Sequence, residues 1–235
     1  ITPTSRIAEH WGHASHLSAT LTGEIAESCV THNTQKLTAG LFSWTADPEY
    51  ADAYMNTFYN AVLPTQNSEN GRVVYHLPLG SPRTKNYLKE NDFKCCNGSG
   101  VEAFARLNSG IYFHNQDQLW VNLFIPSKLT WKEKGIQLMQ ITDFPENPKT
   151  RITISAENPV HYTMNLLIPS WANPQTNILI NGIPHKVKIK PVSFVSIGRE
   201  WKPGDQVELI FDFQFHLKSM PDNENVVALF YGPVL

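Results

Sequence analysis

The hydrophobic periodicity of the chain changes near residue 115, and this change limits the fold more than any other feature. Before residue 115, apolar residues recur at steps of three and four, which is typical of helices. The clearest such stripe consists of Ala51, Tyr54, Met55, Phe58 and Val62. After residue 115, apolar residues alternate with polar ones or form short runs between turns, which is typical of strands. The sequence therefore predicts a mixed α and β chain with segregated parts, helices first and then an all-β domain.

Three helices are predicted in the first part. The first spans Ser28–Thr45, and the second follows a capping aspartate and a proline at Asp47-Pro48 and ends at Pro64. The third spans Val101–Leu107, behind the glycine-containing stretch Asn97–Gly100, which we expect to form a tight turn. The apolar face expected for the first helix consists of Val30, Leu37, Leu41 and Trp44.

Eight short strands are predicted in the second part. Asn181-Gly182 has the composition of a hairpin turn, and Lys202–Asp205 has that of another turn. Short strands at this spacing favour an antiparallel β-sandwich over a parallel sheet. The predicted strands are Leu119–Ile125, Ile136–Ile141, Arg151–Ser155, His161–Ile168, Asn177–Ile180, Val192–Ile197, Gln206–Phe211 and Val226–Tyr231.

The composition excludes several classes of protein. Of 235 residues 41% are hydrophobic, and the net charge is only -2, so the chain is not of the disordered class. This charge gives no general attraction to nucleic acid or to an anionic membrane, and we expect neither as a partner. The longest apolar run, Val226–Leu235, is about half of the ~20 residues that a membrane helix needs. Since the chain begins at Ile1 and stops within this run, we expect both ends to be cut.

Three cysteines, Cys29, Cys95 and Cys96, leave two interpretations open. An odd number argues against a disulfide framework, and buried thiols often serve as small hydrophobic residues. Alternatively, Glu27 and Cys29 lie at the start of one predicted helix, and the cysteine pair precedes another. Helix N-termini favour thiolates. Three thiolates and one carboxylate form a plausible four-ligand set for zinc, which soft sulfur ligands favour.

Several motifs, in one order, resemble the β-L-arabinofuranosidase family of glycoside hydrolases. Glu27-Ser28-Cys29 and the segment around Cys95-Cys96 are the most distinctive of them. The resemblance is close over about the first 130 residues and looser in the β part. The motifs are Ala8–Gly12, Glu27–Cys29, Lys36–Thr38, Leu41–Thr45, Tyr50–Tyr54, Tyr75–Gly80 and Phe93–Glu102.

The resemblance implies an (α/α)6 barrel followed by β-sandwich domains. Twelve barrel helices of roughly 11–12 residues each do not fit in this chain. We therefore expect residues 1–115 to hold the last helices of a partial catalytic barrel, and residues 116–235 to form β-sandwich structure truncated at its C-terminus. The missing N-terminal portion of the barrel is the expected macromolecular partner.

The resemblance also implies the residues of the site. Glu27, Cys29, Cys95 and Cys96 would bind Zn²⁺, Cys95 would be the nucleophile, and Glu9 would be the acid/base. Tyr75 and His76 would contact the substrate, a carbohydrate that contains L-arabinofuranose or a related pentose. The implied reaction is hydrolysis with retention, in which a thiolate replaces the usual nucleophilic carboxylate.

Two other functions stay open at this point. His32, Thr34, Gln35 and Asn97 depart from the family pattern, and the segment could be a non-catalytic relic with a structural zinc site. The strands also carry aromatic residues, as a carbohydrate-binding β-sandwich module would. The compartment is open between the cytoplasm of a bacterium and a periplasmic or secreted location, because metal-bound cysteines survive in either.

Overall fold

A computed structural model describes four stretches of the chain: residues 16–18, 21, 26–79 and 83–235. By its internal contacts the chain divides into two units, each assembled from separate segments. Unit 1 comprises Ile1–Thr45, Ala53–Leu107 and Phe215–Leu235, and unit 2 comprises Ala46–Asp52 and Asn108–Gln214. The structure is mixed α and β, as predicted.

The helices of the first part lie close to their predicted positions, with one correction. Helix α1 spans Ser28–Thr45, the predicted bounds, and α2 spans Pro48–Thr57 and continues as a π-helical segment at Phe58–Val62. Helix α3 spans Cys95–Ala105, so the predicted start at Val101 is wrong. The stretch Asn97–Gly100, expected to be a turn, is helical. The Asn97 side chain accepts a hydrogen bond from the Lys94 backbone N–H (2.9 Å) and so caps the earlier start.

The apolar face predicted for α1 is wrong in part. Leu37 and Trp44 are 62% and 82% exposed. The buried face is mostly polar and begins at the N-terminal end of the helix, where the candidate ligands lie. Its members are Ser28, Cys29, Thr31, His32, Gln35, Thr38 and Phe42.

A two-stranded antiparallel sheet precedes α1 and fixes its start. Strand β1, Ala26–Glu27, pairs with β2, His76–Leu77, and places Glu27 opposite His76. The backbone N–H of Ser28 donates to the carbonyl oxygen of Tyr75 (3.0 Å), which extends the pairing into the first helical residue. Ala26 and Leu77, which are paired in this sheet, form a small apolar core with Ala61 and Val74.

Unit 2 contains two larger sheets. One has six strands in the order β10-β9-β12-β7-β6-β5, and the other has four in the order β11-β8-β4-β3. The strands are β3 Tyr112–His114, β4 Gln118–Val121, β5 Ser127–Trp131, β6 Ile136–Thr142, β7 Lys149–Ala156, β8 Val160–Ile168, β9 Asn177–Ile180, β10 Ile183–Pro184, β11 Ser193–Trp201 and β12 Gln206–Ile210.

Each strand predicted in unit 2 has a counterpart in the structure, whereas β3, β5 and β10 were not predicted. Asn181 and Gly182 both have positive φ (53° and 78°) and join β9 to β10, which confirms the predicted hairpin turn. Pairing is antiparallel except between β4 and β8, which run parallel and depart from the antiparallel expectation. The ring of Trp131, on a strand of the six-stranded sheet, lies 5.6 Å from the ring of Tyr162, on a strand of the four-stranded sheet. The barrel and the sandwich stay predictions.

The last two strands belong to unit 1 and form a hairpin. Strand β13, Phe215–Met220, pairs with β14, Asn223–Tyr231, and only the second was predicted. The buried Asn60 ties the residues after the hairpin to the π-helical segment, because it donates to the Pro233 carbonyl and accepts from the Leu235 N–H, both at 2.8 Å. Within the described ranges, no helix is long and apolar enough to cross a membrane.

Candidate metal centre

The four predicted ligands lie at the beginnings of two helices within unit 1. Glu27 ends β1, and Cys29 is the second residue of α1. Cys95 and Cys96 are the first two residues of α3, not residues ahead of it. Residues two apart lie on opposite faces of a helix but on the same side of an extended segment. Because β1 is extended where it meets α1, the side chains of Glu27 and Cys29 can approach each other.

The side chains of these residues form one compact group. One potential ligand atom from each of Glu27, Cys29, Cys95 and Cys96 lies within 4.8 Å of the others. The sulfurs of Cys29 and Cys96 are 3.2 Å apart, and those of Cys95 and Cys96 are 3.9 Å apart. Glu27 Oε1 lies 3.9 Å from the sulfurs of both Cys95 and Cys96. All three cysteines are free thiols.

Burial distinguishes the three thiols. Cys96 is fully buried and Cys29 is 9% exposed, whereas Cys95 is exposed to solvent. Burial raises the pKa of the Cys29 thiol far above its ordinary value, and burial also raises the pKa of Cys96. The buried pair therefore holds its protons in the metal-free chain, and a cation would have to displace them.

The chemistry of this donor set fits zinc. Three sulfurs and one carboxylate supply four ligands, the number of a closed tetrahedral site. The sulfurs are soft donors, and they disfavour magnesium and calcium, which prefer oxygen. In the described part of the chain, no other set of three or more acidic, histidine and cysteine side chains lies close enough together to hold a metal ion.

Tyr75 and His76 lie beside the group. The Tyr75 hydroxyl is 3.8 Å from the sulfur of Cys95, and the Tyr75 backbone oxygen is 3.8 Å from the sulfur of Cys96. The rings of Tyr75 and His76 are 4.6 Å apart, and both side chains are half-buried. The structure thus brings Tyr75 to the exposed thiol. The predicted acid/base, Glu9, lies outside the described residues.

Ser99 also contacts the ligand group and was not predicted from the sequence. Its hydroxyl donates a hydrogen bond to the sulfur of Cys29 (3.1 Å) and so links α3 to α1. On a helix, residue 99 lies on the same face as residues 95 and 96. This spacing could have identified Ser99 if the helix had been predicted to begin at Cys95.

A charged cluster also links α1 to α3 and was not predicted. The Glu102 carboxylate accepts from Lys36 Nζ (3.2 Å) and lies 3.1 Å from His32 Nε2. The hydrogen bond from Lys36 lowers the pKa of Glu102, and burial lowers the pKa of His32. The cluster therefore connects the two helices that carry the cysteines, beyond the ligands themselves.

Models of protein families match both parts of the chain. Residues 2–109 match the catalytic domain of GH127 β-L-arabinofuranosidases, and residues 118–213 match the middle domain of the same family. The chain belongs to the GH127 β-L-arabinofuranosidase family. A search of curated proteins found no match.

Solved structures share the fold of this GH127 chain. The GH127 β-arabinofuranosidase BT3674 has a TM-score of 0.82 at 24% identity, and the match covers 97% of this chain and 39% of that one. A protein named only as a glycoside hydrolase gives 0.78 at 24%, covering 91% and 38%. Ara127N-Se, a GH127 β-L-arabinofuranosidase from Geobacillus stearothermophilus T6, gives 0.75 at 23%, covering 91% and 36%. The GH127 chain thus spans less than two fifths of the length of each structure.

Proposed function

We propose that this chain supplies the nucleophile of a retaining glycoside hydrolase that releases L-arabinofuranose from β-L-arabinofuranosides. One observation carries the proposal: a solvent-exposed thiol, Cys95, belongs to a ligand group whose other members are largely buried. A purely structural site has no need of an accessible ligand, whereas a nucleophile must reach its substrate. The family membership supports the class of reaction and the pentose substrate.

Zn²⁺ would be held by Glu27, Cys29, Cys95 and Cys96. When bound, the cation keeps a coordinated thiol deprotonated at neutral pH, which the raised pKa of the buried thiols would otherwise prevent. Glu27, Cys29 and Cys96 would orient the group, and Cys95 would be the ligand that faces the sugar.

The reaction would proceed in two displacements. The Cys95 sulfur attacks the anomeric carbon, the bond from this carbon to the glycosidic oxygen breaks, and protonated Glu9 donates its proton to the departing oxygen. Glu9 then accepts a proton from water, whose oxygen attacks the same carbon and breaks its bond to sulfur. Two inversions give net retention. Tyr75, next to the Cys95 sulfur, and His76 would contact the sugar. The remaining wall of the pocket would come from the N-terminal portion of the barrel.

Substitution of Cys95 and Glu9 tests these roles. With 4-nitrophenyl β-L-arabinofuranoside as substrate, we expect Cys95→Ser to abolish turnover, since a serine hydroxyl is a far weaker nucleophile at neutral pH. Glu9→Gln should lower kcat by about 10² to 10⁴-fold, the usual contribution of general acid catalysis. Exposed Glu49 offers a matched control, and Glu49→Gln should keep the wild-type rate.

Two results would contradict the mechanism. One is an unchanged rate in Cys95→Ser, and the other is inversion of the anomeric centre, observed by NMR of the first product. A wild-type chain that binds one equivalent of zinc but hydrolyses no substrate would favour the alternative, a non-catalytic relic with a structural zinc site. Two of the strand tryptophans that a carbohydrate-binding module would use, Trp131 and Trp201, are 2% and 0% exposed and cannot stack on a sugar.

A further inference from the structure

Ser99 makes a hydrogen bond that the mechanism above does not use. Its hydroxyl donates to the Cys29 sulfur at 3.1 Å. Ser99 lies on α3, four residues after Cys95 and three after Cys96, and therefore on the helix face that carries both. The bond crosses from α3 to α1, so it joins the two halves of the ligand group.

The negative charge of the ligand group is what this hydrogen bond would stabilise. One carboxylate and three thiolates carry four negative charges, of which a divalent cation neutralises two. Cys29 bears one of these charges at a 9% exposed position, 3.2 Å from the sulfur of Cys96. Buried charge is costly unless hydrogen-bond donors stabilise it. The Ser99 hydroxyl is such a donor.

The hydrogen bond also distinguishes Cys29 from Cys95. The Cys95 sulfur lies 3.9 Å from Glu27 Oε1 and from the Cys96 sulfur, and 3.8 Å from the Tyr75 hydroxyl; all three contacts are longer than that of Ser99 with Cys29. A donor withdraws electron density from a thiolate and makes it a weaker nucleophile. Ser99 therefore acts on the buried Cys29 sulfur and not on the exposed Cys95 sulfur.

We infer that Ser99 is a positioning residue, which holds the Cys29 sulfur in the ligand group and stabilises it as a structural, non-reacting ligand. The inference rests on the proposed metal centre. Outer hydrogen bonds of this kind commonly change metal affinity by 10 to 100-fold.

Cobalt(II) is the probe, because its thiolate charge-transfer bands report each sulfur ligand directly. In a titration of the 235-residue chain with Co²⁺ against a chelator, Ser99→Ala should bind about 10-fold more weakly than wild type. Its charge-transfer bands should move to longer wavelength, because the Cys29 thiolate loses a donor. Ser99→Thr keeps the hydroxyl and should restore both quantities. Ser43→Ala removes an exposed helical hydroxyl bonded to the Gly40 carbonyl and serves as the control.

The outcomes separate this inference from the proposed function. If wild type binds Co²⁺ with thiolate bands and Ser99→Ala has the same affinity and spectrum, Ser99 has no positioning role, although the metal centre stands. If wild type shows no thiolate bands, both are wrong. Alanine is a better helix former than serine, so a folding defect in Ser99→Ala is not expected. Far-UV circular dichroism checks the folding of this variant. Co²⁺ binding by Ser99→Thr as weak as that by Ser99→Ala would also overturn the inference.

Discussion

Two glycines in the first turns of α3, Gly98 and Gly100, have different surroundings. Gly100 is buried, and a Cβ atom there would lie 2.7 Å from Cγ1 of Val73. Val73 is buried and β-branched, so its rotamer gives little room. Gly98, half a turn earlier, has no atom within 4 Å of such a Cβ. Gly100 therefore permits a close approach, whereas Gly98 meets no such constraint.

This difference predicts opposite effects for the same substitution at the two glycines. Gly100→Ala should destabilise the chain by about 1–2 kcal/mol, since overpacking costs about 1–3 kcal/mol and helix propensity returns up to ~1 kcal/mol. Gly98→Ala gains the propensity without the clash and should stabilise by up to ~1 kcal/mol. Urea unfolding measures both. Val73→Ala should suppress the destabilisation caused by Gly100→Ala, because it removes the clashing atom. Equal stabilisation by Gly98→Ala and Gly100→Ala would contradict the steric account.

Among the elements, α1 could be predicted from its sequence and α3 could not. A proline follows the end of α1 at Asp47-Pro48, and the predicted bounds of α1 agree with the structure. The first two turns of α3 contain Gly98 and Gly100, which are poor helix formers and predict a turn. In the structure both glycines are helical: Asn97 caps the start of the helix, and Val73 packs where a side chain at residue 100 would lie. That contact comes from a residue 27 positions away, beyond the reach of local pattern.

The same limit explains which site residues were found. Residue chemistry and the family resemblance pointed to Glu27 and the three cysteines, and the structure brings them together. Ser99 could not be placed without the correct start of α3. The apolar residues Leu37 and Trp44 predicted a buried face for α1, but the polar residues around the ligand group occupy that position.

The sheets of unit 2 carry their own electrostatic stabilisation. Glu208 on β12 contacts Lys149 Nζ and Arg151 of the adjacent strand β7, each at 2.8 Å. The hydrogen bond from Lys149, followed by that from Arg151, lowers the pKa of Glu208. A carboxyl whose pKa is lower in the folded than in the unfolded chain adds stability above its ordinary pKa, and this stability is lost as the pH falls through the lowered value.

Glu208→Gln should therefore destabilise the chain at neutral pH by about 1 kcal/mol, a magnitude that allows for solvent screening of partly exposed partners. The difference from wild type should shrink as the pH falls below the ordinary carboxyl range, because wild-type Glu208 is then protonated too. Thermal unfolding at several pH values measures this. Exposed Glu224 supplies the control, and a Glu208→Gln effect that persists unchanged in acid would exclude the ion pairs as its cause.

At the scale of the whole molecule, the ligand group closes a long loop within unit 1. Glu27 and Cys96 are 69 residues apart in sequence, and their side chains lie 3.9 Å from each other. A cation bound here would join β1 and the N-termini of α1 and α3, and it would bind the folded chain in preference to the unfolded one. At a concentration 100 times its Kd, such a ligand stabilises the fold by about 2.7 kcal/mol.

Unit 2 holds none of these ligands, so the stabilisation should be local. We expect zinc to slow hydrogen exchange in peptides from α1 and α3 and to leave peptides from β7 and β8 unchanged, as measured by mass spectrometry. A chelator should reverse the protection, and calcium, which prefers oxygen ligands, should give none. Cys29→Ala should lose the zinc effect because it removes one of four donors. Equal protection in both units, or protection that survives in Cys29→Ala, would mean that zinc acts elsewhere on the chain.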